Sequence, residues 1–91
     1  MNNKIILSSL AMDLKRVALG YYRGSFRTAD RFLEEALKRR KEIDDTKIKP
    51  SILKILNQIE KLGLQKQKDK AAEDALLYST LLQNAALSQN L

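Results

Sequence analysis

Ninety-one residues make one domain with a modest core, and 44% hydrophobic against 31% charged residues excludes a disordered chain. The absence of cysteine and histidine excludes a disulfide scaffold, a thiolate nucleophile, a Cys/His zinc site and a histidine acid–base catalyst. A net charge of +6 leaves nucleic acid or an anionic surface open as partners without requiring either.

Three glycines and one proline are too few for a hairpin-rich fold, and Leu, Ala, Lys, Glu and Gln favour helix. Lys4 and the run from Ile5 to Met12 imitate the start of a signal peptide. The run stops at Asp13, Lys15 and Arg16 and continues as a helical pattern, so a helix is expected there and a cytoplasmic location for the chain. No stretch approaches the ~20 apolar residues of a membrane span.

Residues 4–23 place Leu7, Leu10, Leu14, Val17 and Tyr21 on one helical face. Residues 25–44 repeat the spacing with Phe26, Ala29, Leu33, Ala36 or Leu37, and Ile43, out of phase with the first stripe. A second stripe (Ile5, Met12, Leu19, Tyr22, Phe26, Ala29, Leu33, Ala36, Ile43) crosses the junction without a slip, which would suit one rod of ~60 Å. A break at Gly24–Ser25 is favoured, with Gly24 left-handed beyond the first helix and Ser25 capping the second. In a continuous helix, Gly20 and Gly24 would instead form a smooth strip for another backbone.

Residues 44–50, DDTKIKP, predict a connector, with Lys49 extended and Pro50 opening the next helix. That helix, 50–62, should bury Ile52, Leu53, Ile55, Leu56, Ile59 and Leu62. Gly63 is expected to close it in a Schellman motif with Leu64 against Ile59. The last helix is expected over 69–88, with Lys70 and Asp74 as an i,i+4 pair.

From Ala75 to Leu91 there is no charge. Ala75, Leu76, Leu77, Tyr78, Leu81, Leu82, Ala85, Ala86 and Leu87 surround most of that helix, so it should be buried on several sides. It is either the central helix of a monomer, with Ser79, Thr80 and Gln83 outward, or part of a dimer. Four short helices would struggle to cover it, so a homodimer interface is expected at Leu77, Tyr78, Leu81, Leu82 and Ala85.

Candidate chemistry is sparse. Glu34, Glu35, Glu42, Asp44 and Asp45 lie in a heavily charged region, and Asp69, Glu73 and Asp74 lie beside Lys66 and Lys70. Both groups suit solvated, ion-paired surface, and neither has the Glu-x-x-His partner of a di-metal bundle. In KRRK, residues 38–41, each basic residue has an acid four positions away: Glu34, Glu35, Asp44 and Asp45. A salt-bridged solvent face is therefore expected. The unbalanced excess lies in residues 1–24, four basic residues against Asp13 alone, and in Lys47, Lys49 and Lys54. Lys15, Arg16, Arg23 and Arg27 form a candidate phosphate-contacting edge with Tyr21 or Tyr22 available to stack on a base. Tyr21 also continues the apolar stripe, as a core residue with its hydroxyl at the rim.

The stretch ALGYYRGSFRTADRFLEEALK, about a quarter of the chain, resembles the helical layout of HEPN domains found in toxin–antitoxin systems. The resemblance implies an all-α fold. The Arg-then-His ribonuclease motif of that family has no counterpart without histidine, so a relative of this kind would be non-catalytic. The pattern is common among helical hairpins, and no family is assigned on it.

Taken together, these features predict a single all-α domain over residues 1–91, a bundle of three or four antiparallel helices packing as a homodimer. It is expected to act as a non-enzymatic interaction or adaptor protein, with no cofactor or metal, partnered by itself or another helical protein. The alternative is a basic nucleic-acid-associated accessory or antitoxin-like protein using the cations of residues 15–27.

Overall fold

The computed structural model describes residues 2–89 and 91. Among these residues, four α-helices follow one another: α1 (Asn3–Tyr22), α2 (Phe26–Lys41), α3 (Pro50–Ile59) and α4 (Lys68–Ser88). Single 3₁₀ turns at Asp45–Lys47 and Leu62–Leu64 complete the connections, and no strand occurs among the described residues. The bundle measures 35 × 21 × 20 Å.

α1 starts where the Asn2 side chain accepts a 2.9 Å hydrogen bond from the Ile5 amide, satisfying one of the first-turn donors. It ends in a Schellman motif. Gly24 takes φ +74°, its amide donates to the Tyr21 carbonyl at 3.2 Å, and the Ser25 amide reaches back to Gly20 at 2.8 Å. The chain therefore breaks at Gly24–Ser25 and the continuous rod is excluded. Ser25 does precede α2, but its side chain makes no capping bond. It closes the preceding helix with its amide while its carbonyl accepts the first bond of α2 from Ala29, so the expected hydroxyl cap is replaced by this double backbone role.

α1 is the central helix, packed against both α2 and α4, and α4 runs antiparallel to it, with Lys68 at Tyr21 and Ser79 at Ala11. Leu7, Leu10, Leu14 and Val17 are fully buried. Their neighbours include small residues: Ala29 and Ala36 from α2, and Ala71, Ala72, Ala75 and Ala86 from α4. Such residues let helix axes approach closely. The tightest point is Gly20, where a methyl group would stand 2.9 Å from the Ala29 side chain and 3.0 Å from its backbone. Gly20 thus receives another backbone, although the helix is not continuous.

The connector behaves as its sequence suggests. Asn3 and Asp44 exchange hydrogen bonds of 3.0 Å, tying the start of α1 to it, and Asp44 accepts from Thr46. Lys49 is extended before Pro50, and its amide donates to the Leu91 carbonyl at 2.8 Å.

α3 buries Ile52, Leu56 and Ile59, while Leu53 and Ile55 are half-buried. It stops at Ile59, and the predicted Schellman motif at Gly63 is absent. Gly63 stays out of the left-handed region, and Leu64 is 79% exposed rather than packed on Ile59. The chain keeps turning right-handed so that Leu62 enters the core at 3% exposure. A methyl group on Gly63 would lie 3.3 Å from Leu33, so the glycine provides room against α2.

Candidate functional site

The four candidate phosphate-contacting cations do not form one edge. Arg16 and Arg23 line a cleft of about 280 Å³ between α1 and α2, with Leu19, Gly20, Ser25, Thr28 and Phe32. Lys15 lies on the opposite side of the exposed α1 face. There it borders a groove of about 340 Å³ against α4, together with Met12, Leu76, Ser79, Thr80 and Gln83. Arg27 lines neither.

Arg16 is partly engaged, 3.7 Å from Asp13 and 5.4 Å above the Phe32 ring. Arg23 and Arg27 form no ion pair among the described residues. Tyr21 is a core residue at 4% exposure. Its hydroxyl donates to Asp30 at 3.2 Å, and Lys68 sits 5.3 Å from its ring centre. Burial, then the Asp30 charge and hydrogen bond, push its phenol up to about 12. Tyr22, by contrast, is 53% exposed.

KRRK is not the solvent face expected from its sequence. Lys38 pairs within the helix, with Glu35 at 3.6 Å. Arg39 crosses to α1, donating from Nε to Asp13 at 2.7 Å, and that hydrogen bond raises its pKa further. Arg40 is buried, giving both terminal nitrogens to the Asp45 carboxylate at 2.7 and 3.1 Å and one to Asn57 at 3.0 Å. Its hydrogen bond holds the Asp45 carboxyl below the ordinary range. Two of the four cations therefore join separate segments of the fold. The pairings of Arg39 with Asp13 and of Arg40 with Asn57 have no signature in the sequence, because helical spacing relates only residues on one helix.

The predicted dimer residues divide as well. Leu82 and Ala85 are buried in the chain's own core, Tyr78 is half-buried, and Leu77 and Leu81 are 53% and 39% exposed. Ser79, expected outward in a monomer, faces α1, where its hydroxyl donates to the Ala11 carbonyl at 2.7 Å. The position is inward because α4 runs antiparallel to α1 with this residue at the seam. Thr80 is exposed as expected, and Gln83 is half-buried in the groove wall, its Oε1 buried without a hydrogen-bond partner.

Exposed apolar side chains continue beyond the predicted set. Leu76 and Leu87 join Leu77 and Leu81 on α4, and Ile5, Met12 and Leu19 lie on α1, each at least 39% exposed. Among the described residues, no group of three or more His, Cys, Asp or Glu is placed to hold a metal ion, and no helix is long and apolar enough to cross a membrane. No family model, curated protein or solved structure matches the chain.

Proposed function

We propose that the protein is a non-enzymatic helical interaction module that self-associates through the uncharged surface of α4. The observation that carries this reading is the set of four exposed leucines, Leu76, Leu77, Leu81 and Leu87, within a segment from residue 75 to 91 that has no charge. A protein of net charge +6 repels its own copies, and a charge-free apolar surface is where they can meet at least cost. Size-exclusion chromatography with light scattering tests it: the purified chain should run as a dimer. Replacing Leu77 and Leu81 together by Glu should yield a folded monomer.

A second reading has its own observation. Arg16 and Arg23 share one cleft, and Arg23 and Arg27 have no ion-pair partner among the described residues. That arrangement suits phosphate contact by a nucleic-acid-associated accessory protein. Gel shift with generic RNA and DNA tests it. Binding through four to six phosphates should weaken more than ~100-fold between ~50 and ~200 mM salt, and no shift at the lower salt removes the reading.

A further inference from the structure

We infer that α1 carries the centre of a two-fold interface, occupied by the α1 helix of a second copy running antiparallel across Met12. This rests on the self-association proposed above. It extends the contact from α4 onto the one face of α1 that α2 and α4 leave open.

Ile5, Met12 and Leu19 are seven residues apart, so they fall within ~20° per step of a single line along the helix. They are 47%, 47% and 39% exposed, unlike Leu7, Leu10, Leu14 and Val17, which the chain covers completely. Leu76 flanks Met12 across the groove between α1 and α4. With Leu87, these residues expose on the order of 400 Å² of apolar surface, within the range of the largest patch on a monomer. Thr80 and Asn84, which line the same groove, form its polar rim.

Reversed about Met12, this face meets its own copy with apolar on apolar and cation on serine, and this selects a second copy as the occupant. An isologous contact requires that residue i meets j while j meets i. Reversing α1 about Met12 sets Met12 against Met12 and Ile5 against Leu19. The same operation brings Lys15 to the Ser8 flank of the facing helix and Arg16 to the Ser9 flank. No cation of the stripe then faces another cation. A parallel arrangement would bring Lys15 of one copy beside Arg16 of the other, which like-charge repulsion opposes. Because the two-fold lies across α1, it also keeps α4 of one copy beside α4 of the other, so the uncharged helix lines the same interface.

The chain has no cysteine, so single-cysteine variants report this geometry directly. Under mild oxidation, Met12→Cys should form a covalent dimer. Ile5→Cys and Leu19→Cys should each stay largely uncross-linked alone and cross-link when mixed, because disulfides require close Cα atoms. Met12→Lys should weaken dimerisation at least ~100-fold in light scattering while its helical circular dichroism remains that of the wild type. Self-cross-linking of Ile5→Cys or Leu19→Cys as fast as Met12→Cys overturns the antiparallel register. A wild-type dimer whose Met12→Cys variant does not cross-link overturns the inference while leaving self-association through α4 intact. A wild-type chain that stays monomeric up to ~100 µM removes both.

Discussion

Arg39 of α2 donates a 2.7 Å hydrogen bond from Nε to Oδ2 of Asp13 on α1, joining an arginine side chain that is 35% exposed to a carboxylate that is 5% exposed. The two partners therefore have unequal costs of loss. Arg39→Ala leaves a desolvated carboxylate with only Arg16 at 3.7 Å, and should destabilise by ~2–4 kcal/mol. Asp13→Asn removes the charge but keeps an acceptor, and should cost ~1–2 kcal/mol. Urea denaturation of both variants checks the order. An Asp13→Asn loss equal to or larger than that of Arg39→Ala would show that the stranded carboxylate is not what makes the pair costly to break.

Gly20 and Gly24 stand four residues apart and should respond to alanine for different reasons. At Gly20, helix propensity favours alanine by ~1 kcal/mol. The added methyl would meet the Ala29 side chain at 2.9 Å and its backbone at 3.0 Å, and the backbone cannot rotate away. Overpacking of this kind costs ~1–3 kcal/mol, so a net loss is expected. At Gly24 there is open space, but φ is +74°, and alanine there should cost ~1–2 kcal/mol through the backbone alone. Combining each with Ala29→Gly separates the causes. The Gly20 double variant should recover at least ~0.5 kcal/mol relative to additivity, and the Gly24 double variant should be additive.

These positions also mark what could be read in advance. Leu7, Leu10, Leu14 and Val17 announced the buried face of α1 because a period of 3.6 relates residues on one helix directly. Ile5, Met12 and Leu19 form an equally regular stripe yet are exposed, since periodicity identifies apolar faces and not the number of neighbours available to cover them. The same limit hid the inward direction of Ser79, Leu82 and Ala85 on a helix apolar nearly all round. Gly24 and Gly63 both follow a helix, but only the first is left-handed. The difference is that Leu62 has to reach the core, a tertiary demand with no local signature. Asp13 and Arg39 are 26 positions apart, and no helical spacing rule joins them.

Ser79 tests the seam between α1 and α4. Its hydroxyl is buried and donates to the Ala11 carbonyl at 2.7 Å. Ser79→Ala should cost ~1 kcal/mol, the usual net value of such a bond. In a domain of this size that corresponds to a melting temperature lower by ~4–8 °C. Ser79→Leu should cost a further ~1–3 kcal/mol, because Oγ already stands 2.7 Å from the Ala11 carbonyl and a longer side chain in that direction meets the α1 backbone. Thermal melts followed by circular dichroism check both. Equal melting of the wild type and the leucine variant would mean that the longer side chain turns into the groove between α1 and α4 and leaves the seam undisturbed.

Two groups should bend the stability profile at its ends, in opposite senses. Tyr21 has its pKa raised from 10.0 to about 12 by burial, then by the Asp30 charge and hydrogen bond. A folded value above the unfolded one makes its contribution complete below pH 10 and lost as pH rises toward 12. Wild type should therefore lose stability relative to Tyr21→Phe across that interval, and the comparison removes the background titration of lysines. Asp45 is held below its ordinary 3.8, chiefly by the Arg40 hydrogen bond. Its contribution is present above 3.8 and lost as pH falls through the lowered folded value. Wild type should accordingly lose its advantage over Asp45→Asn on the acid side. Urea midpoints for the three proteins across the pH range measure both arms, and a wild-type difference that stays constant with pH at either end would contradict the corresponding contact.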